Sequence, residues 1–257
     1  MEKIKLEITH DDSIARVILD DGKGNVLDKI MMNDLHEVFD SLKGKNNVKL
    51  ITFEGAGKNF SFGASVPEHT KELAPEMLSS FHQLFYEIVD LSIPAMAKIS
   101  GHCLGGGMEL ALACNFIFAD KTAKFGQPEI KLGVFAPPAS LLLPLKIGNA
   151  KAEELLITGK IISAEEAKEI GVLNDIYDDK ETMKASLDEW INKNICDKSA
   201  SSLRYAVRVS RKVFNEIVKT ELPKIEETYI KELMETNDAN EGINSYLEKR
   251  KPVWKNC

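Results

Sequence analysis

The sequence predicts an α/β fold closed by a helical C-terminal region. Three patterns carry that reading. Short apolar runs alternate with helix-periodic segments as far as about residue 139, a glycine run sits between a strand-like and a helix-like segment, and the chain beyond is mostly helical. Its 257 residues suffice for one large domain or two small ones, with a sizeable core.

In chain order, "KIKLEIT" and "IARVILD" are apolar runs split by "HDDS", the pattern of a hairpin. "DKIMMNDLHEVFDSLK" has helical spacing, with Asp28 as its N-cap. "VKLITFEGAG" reads as a buried strand ending in a glycine turn, and "PEMLSSFHQLFYEIVDL" as an amphipathic helix. "IPAMAKIS" is a further strand, followed by "LGGGMELALAC" as a glycine run entering a helix, then by "NFIFAD". Beyond residue 139, "ASLLLPLKIG", "KAEELLIT", "SAEEAKEIG", "KETMKASLDEWINKNI" and the stretch from Ser199 to Lys251 read as helices. No linker rich in Pro, Gly or Ser sets this tail apart, so it is expected to pack on the core or on a neighbouring subunit.

Composition narrows the function. With 44% apolar and 28% charged residues and no low-complexity tract, the chain is an ordinary globular one. A net charge of −7 argues against nucleic acid as a main partner. The start "MEKIKLEITHDD" has no apolar signal core and no stretch approaches a membrane span, so a cytoplasmic protein without membrane contact is expected. Cys103, Cys114, Cys196 and Cys257 form no CxxC pair and read as free thiols of a reducing compartment.

The chemistry concentrates in three segments. The N–H groups that open the helix after "LGGG" suit an oxyanion or phosphate, and glycine lets a ligand approach the backbone. The same glycines would also serve tight helix–strand packing. Glu109 lies one turn in, where a carboxylate is costly to bury without a partner; it either complements the helix dipole or is catalytic. Glu129 follows Pro128, which holds it in a loop. Two positioned carboxylates can divide general acid and base roles, whereas a loop Glu alone is ordinarily a solvated charge. In "GKNFSFGASVPEH", small residues after a glycine turn allow a backbone N–H to face a ligand, or simply satisfy turn geometry.

Together, "FSFGAS", "GHCLGGGMELALACNFIFADKTAKFGQPEIKLGVF" and "EGINSYLEKRKPVWKN" resemble the crotonase (enoyl-CoA hydratase/isomerase) superfamily over essentially the whole chain. The resemblance implies a crotonase-like spiral of ββα units over residues 1–195, carrying an acyl-CoA site. It also implies a helical region, 196–257, that builds homotrimers or dimers of trimers and caps the CoA. By the same resemblance the Ala64 and Gly106 N–H groups match the oxyanion hole. Glu109 and Glu129 match the two glutamates of the hydratases, with Glu109 as base on water and Glu129 as proton donor. Lys23 and Val26 of "GKGNVLDK" and, from a neighbouring subunit, Tyr246 and Lys249 of "YLEKRKP" match CoA contacts. Phe62, Ser65 and Phe135 fall on the substrate wall. No metal or further cofactor is expected, coenzyme A being part of the substrate.

Two departures carry finer information. Ser65 stands where many members have an acid, and "FAPPASLLLPL" replaces a glycine-rich segment with Phe135, Pro137 and Pro138, which predicts a stiffer, more apolar wall. This combination is similar to the members that hydrate cyclohexa-1,5-diene-1-carbonyl-CoA in anaerobic benzoyl-CoA degradation. An ordinary short-chain hydratase, a double-bond isomerase and, further off, an RNA-binding relative remain alternatives. His69 and His82 fall in the segment that lines the acyl pocket in this family; His102 reads as a turn or core histidine.

Overall fold

In the computed structural model, which describes residues 1–257, β1 (Ile4–Thr9) and β2 (Ile14–Leu19) pair antiparallel with Ile4 opposite Leu19. His10, Asp11 and Asp12 all take left-handed φ values to turn the chain between them. β3 (Leu50–Gly55), β4 (Ala95–Ile99), β6 (Phe116–Asp120) and β9 (Asp175–Tyr177) extend this sheet in the order β1-β2-β3-β4-β6-β9, all in parallel pairings beyond β2. Parallel neighbours need crossovers. The first two are the helices α1 (Lys29–Leu42) and α2 (Ala74–Leu91) that the periodicity predicts. Asp28 caps α1, its carboxylate accepting the Met31 N–H at 3.0 Å. Strands covered on both faces are mostly apolar, and β4 is buried at every position, Lys98 included.

A second sheet of three short strands, β5 (His102–Leu104), β7 (Lys124–Gly126) and β8 (Ile161–Ser163), stands beside the first. It delivers the glycine run: α3 (Gly106–Leu112) starts two residues after β5. β8 and β9 correct the helical reading beyond residue 139. Each has three residues, less than a helical period and too few for strand alternation to register. The other expected helices form as α4 (Pro137–Ile147), α5 (Asn149–Thr158), α6 (Ala164–Glu169) and α7 (Lys180–Ile191), the last running into a π turn over Asn192–Cys196.

The tail forms α8 (Ala200–Ser210), α9 (Lys212–Thr220), α10 (Leu222–Lys231) and α11 (Asn237–Leu247). It packs on the core as expected. Val218, Leu222, Tyr229, Met234 and Ile243 join the same buried cluster as Phe39, Phe53 and Leu110, and both α9 and α10 contact α2 and α4. No helix is long and apolar enough to cross a membrane, and all four cysteines are free thiols.

Candidate active site

The glycine run ends β5 with Gly105 at φ 49° and ψ −129°, a conformation open to glycine alone. Its N–H donates to the Gly126 carbonyl at 2.9 Å, which fastens the turn to β7. Facing it is the loop from Ser61 to Ser65. Ser61 Oγ donates to the Asn25 carbonyl at 2.7 Å and accepts the Gly63 N–H at 3.0 Å. Leu27 N–H bonds the Gly63 carbonyl at 2.9 Å, and Ser65 N–H the Leu27 carbonyl at 3.3 Å. Amid these contacts the Ala64 and Gly106 N–H groups are bonded to nothing in the chain. The two adjoin: a Cβ on Gly106 would stand 3.1 Å from the Ala64 nitrogen and 3.2 Å from Phe81 Cζ.

Glu109, on the first turn of α3, is 3% exposed. The partner that its burial demands is the Ala139 N–H, which donates to Oε1 at 2.9 Å. Proline has no N–H, so with Pro137 and Pro138 opening α4 the first donor that helix offers is Ala139. The apolar wall predicted from "FAPPAS" thus begins a helix and holds a carboxylate. Glu129 lies in a 3-10 turn, Pro128–Leu132, rather than in an open loop, and Pro128 opens that turn. A Cβ at Gly105 would fall 2.5 Å from Glu129 Oε1, so the missing side chain makes room for this carboxylate. Gln127 supports it: with the amide turned to satisfy both its ends, Nε2 donates to the Glu129 oxygens at 3.1 and 3.2 Å.

Burial governs the electrostatics. The protein packed around Glu129 pushes its carboxyl up to about 7. Glu109 is held well above the usual carboxylate range, first by burial and then by the charge of Glu129. The two titrate as a pair, which retains a proton near neutral pH.

The remaining sequence-named residues lie around this centre. Phe62, 46% exposed, rests on Gly24 and stacks on His102 with ring centroids 4.8 Å apart. Lys23 is exposed on the same loop, and Val26 is half-buried there, its N–H on Asp21 Oδ2 at 2.9 Å. The Ser65 hydroxyl caps nothing; its carbonyl holds His69 Nδ1 at 2.8 Å, and burial lowers the His69 pKa. Phe135 meets the edge of Tyr229. Tyr246 and Lys249 stand exposed at the end of α11, and their side chains make no hydrogen bond within the chain. His102 opens strand β5 and is half-buried, rather than lying in a turn or in the core, with its Nδ1 3.1 Å from Asn59 Oδ1. His82 is fully buried, with Nδ1 against Glu226 Oε2 at 2.5 Å. Sequence reasoning missed Asn25, Ser61, Gln127, Ala139 and Tyr229. Only the Pro-Pro pair before Ala139 carried a readable signal, as the start of a helix.

Two adjacent free N–H donors beside one buried and one half-buried carboxylate suit reactions in which charge gathers on a carbonyl oxygen while a proton moves. The chain belongs to the enoyl-CoA hydratase/isomerase family, whose profile matches residues 9–257, and it is a hydro-lyase of the enoyl-CoA hydratase type acting on an acyl-CoA. Among curated relatives it is 40% identical over 253 residues to a cyclohexa-1,5-dienecarbonyl-CoA hydratase of Thauera aromatica, covering 98% of this chain and 97% of that protein. It is 32% identical over 263 residues to a probable enoyl-CoA hydratase of Bacillus subtilis (strain 168), covering 99% of each. Its fold matches crystal structures of enoyl-CoA hydratases from Bacillus halodurans (TM-score 0.87, 21% identity, 95% of this chain and 99% of that one) and Mycobacterium avium (0.86, 24%, 99% and 100%).

Proposed function

We propose that the chain hydrates cyclohexa-1,5-diene-1-carbonyl-CoA to 6-hydroxycyclohex-1-ene-1-carbonyl-CoA, in the cytoplasm, as a step of anaerobic benzoyl-CoA degradation. The observation that carries the substrate is the 40% identity to the Thauera aromatica hydratase across nearly the full length of both chains. The apolar wall formed by Phe135 and the helix start at Pro137 and Pro138 suits a flat ring.

In this reading the Ala64 and Gly106 N–H groups hold the thioester oxygen as negative charge develops there. Donors so placed contribute roughly 3–4 kcal/mol each. Water adds in the 1,4 sense: its oxygen bonds the β-carbon, a proton goes to the far end of the diene, and the remaining double bond moves between. Burial keeps a proton on the glutamate pair, so one carboxyl enters the cycle as acid and the other as base. On the family resemblance we assign Glu109 as the base on water and Glu129 as the donor to carbon, although burial and the Glu129 charge favour the resting proton on Glu109. Phe62, Lys23 and Val26 border the CoA, and Ser65 and Phe135 the acyl group. Tyr246 and Lys249, unengaged in their own chain, reach the CoA of a neighbour in a homotrimer or a dimer of trimers.

The test offers cyclohexa-1,5-diene-1-carbonyl-CoA and crotonyl-CoA side by side, follows loss of the conjugated thioester absorbance, and identifies the product. Turnover of the ring substrate to the 6-hydroxy product is expected. Rapid turnover of crotonyl-CoA with none of the cyclic diene would instead make the chain an ordinary short-chain hydratase.

A further inference from the structure

Helix α10 lies across α2 and α4, and two of its residues one turn apart face into the protein. Glu226 holds the fully buried His82 of α2. Tyr229, 1% exposed, presents its ring to Phe135 in an edge-on contact, centroids 5.3 Å apart and planes at 70°. Phe135 stands two residues before α4, the helix whose Ala139 N–H holds Glu109. Tyr229 therefore sits over the wall beside the glutamate pair.

Its hydroxyl is buried and bonds no group in the chain. An unpaired buried hydroxyl costs about 1–3 kcal/mol, and a phenylalanine would pack on Phe135 without that cost. The hydroxyl is thus retained for a partner that arrives from outside the chain. Burial first, and then the neighbouring Glu129 and Glu109 carboxylates, raise the Tyr229 pKa above its ordinary value, so the phenol stays protonated and acts as a donor. The carbonyl oxygen of a bound thioester already has the Ala64 and Gly106 N–H groups. The other oxygen present at the carboxylate end is that of the added water.

We propose that Tyr229 recognises this oxygen, its O–H donating to the water as it adds and to the alcohol of the hydrated product. The inference rests on the hydratase reading of the site but not on the ring substrate. It makes Tyr229 a residue that selects hydroxylated over unhydroxylated acyl groups.

Dissociation constants of two ligand pairs test it: 6-hydroxycyclohex-1-ene-1-carbonyl-CoA against cyclohex-1-ene-1-carbonyl-CoA, and 3-hydroxybutanoyl-CoA against butanoyl-CoA. They are measured on the full-length protein in a Glu129→Gln background that halts turnover. With Tyr229 in place, the hydroxylated member of at least one pair should bind about ten-fold tighter, as a site built to bond a hydroxyl rejects its absence. Tyr229→Phe should bind both members alike, leave affinity for the unhydroxylated member unchanged, and in the otherwise native protein lower kcat/KM for hydration by about 10–100-fold while raising Tm, since it removes the unpaired hydroxyl. Glu226→Gln, which loosens the seat of α10 without touching the phenol, should weaken both members equally. A preference that survives in Tyr229→Phe, or is absent with Tyr229 in place, overturns the proposal. A preference confined to the linear pair leaves Tyr229 its role and counts against the ring substrate.

Discussion

At Gly105 one residue meets two demands. The backbone must turn through a glycine-only conformation, and the Glu129 carboxylate must occupy the space of a side chain. Gly105→Ala should therefore lower thermal stability by about 1–3 kcal/mol and the hydration rate by more than ten-fold, read by calorimetry and by the hydration assay. For the carboxylates, Glu109→Gln and Glu129→Gln should each lose about 10²–10⁴-fold in rate, since each removes a proton carrier. Their effect on stability has the opposite sign. Both carboxyls titrate higher in the folded chain than in the unfolded one, so the folded state binds more protons above the ordinary carboxylate range, for Glu129 up to about 7, and stability falls as pH rises through that window. Glu129→Gln removes that penalty while its amide oxygen still accepts from Gln127. Its Tm should exceed that of the native protein at pH 8, with the gap closing toward pH 4.5 in scans at several pH values.

Among the elements, α3 depends most on others. Seven residues are too few to hold a helix by themselves. Arg211, between α8 and α9, reaches its far end and donates to the Ala113 carbonyl at 2.6 Å and the Cys114 carbonyl at 3.0 Å. Burial brings the guanidinium down to about 10, still charged at neutral pH, and its cation complements the carbonyl end of the helix. Arg211→Met should cost about 2–4 kcal/mol of unfolding free energy without changing the denaturant slope, measured by urea titration. α11 plays a similar part for Glu129. A Cβ at Gly242 would overlap the backbone at Leu132, so this helix lies directly on the turn that carries the carboxylate.

For the whole molecule, the tail does two things. Its inner side completes the core, with α10 packed on α2 and α4. Its outer side exposes Tyr205, Val209 and Val213 at four-residue spacing, 63–72% open to solvent, the face on which the proposed trimer would close. Val209→Glu should reduce the assembly to a smaller species in sedimentation velocity. If Tyr246 and Lys249 act on a neighbour's CoA, that variant also loses CoA affinity, read as a raised KM. An unchanged sedimentation coefficient would exclude this face as the interface.

Much of this was legible along the chain because it is local. Strand and helix periods, the cap at Asp28, the glycine turn, and the motifs around Ala64, Gly106, Glu109 and Glu129 each reside within a dozen residues. They determined the α/β fold and the family, and they named the residues that the structure gathers around the start of α3. What remained depends on contacts between distant segments. Only folding brings the Ala139 N–H to Glu109, Gln127 to Glu129, Arg211 to the end of α3 and Tyr229 to Phe135. The glycine run beside an acid shows why. Its sequence admits both tight packing and an anion-receiving turn, and only the tertiary structure shows how far each holds: Gly107 packs on Ser61, the Ala64 and Gly106 N–H groups bond nothing in the chain, and a carboxylate stands where the side chain of residue 105 would be, because these neighbours come from distant segments.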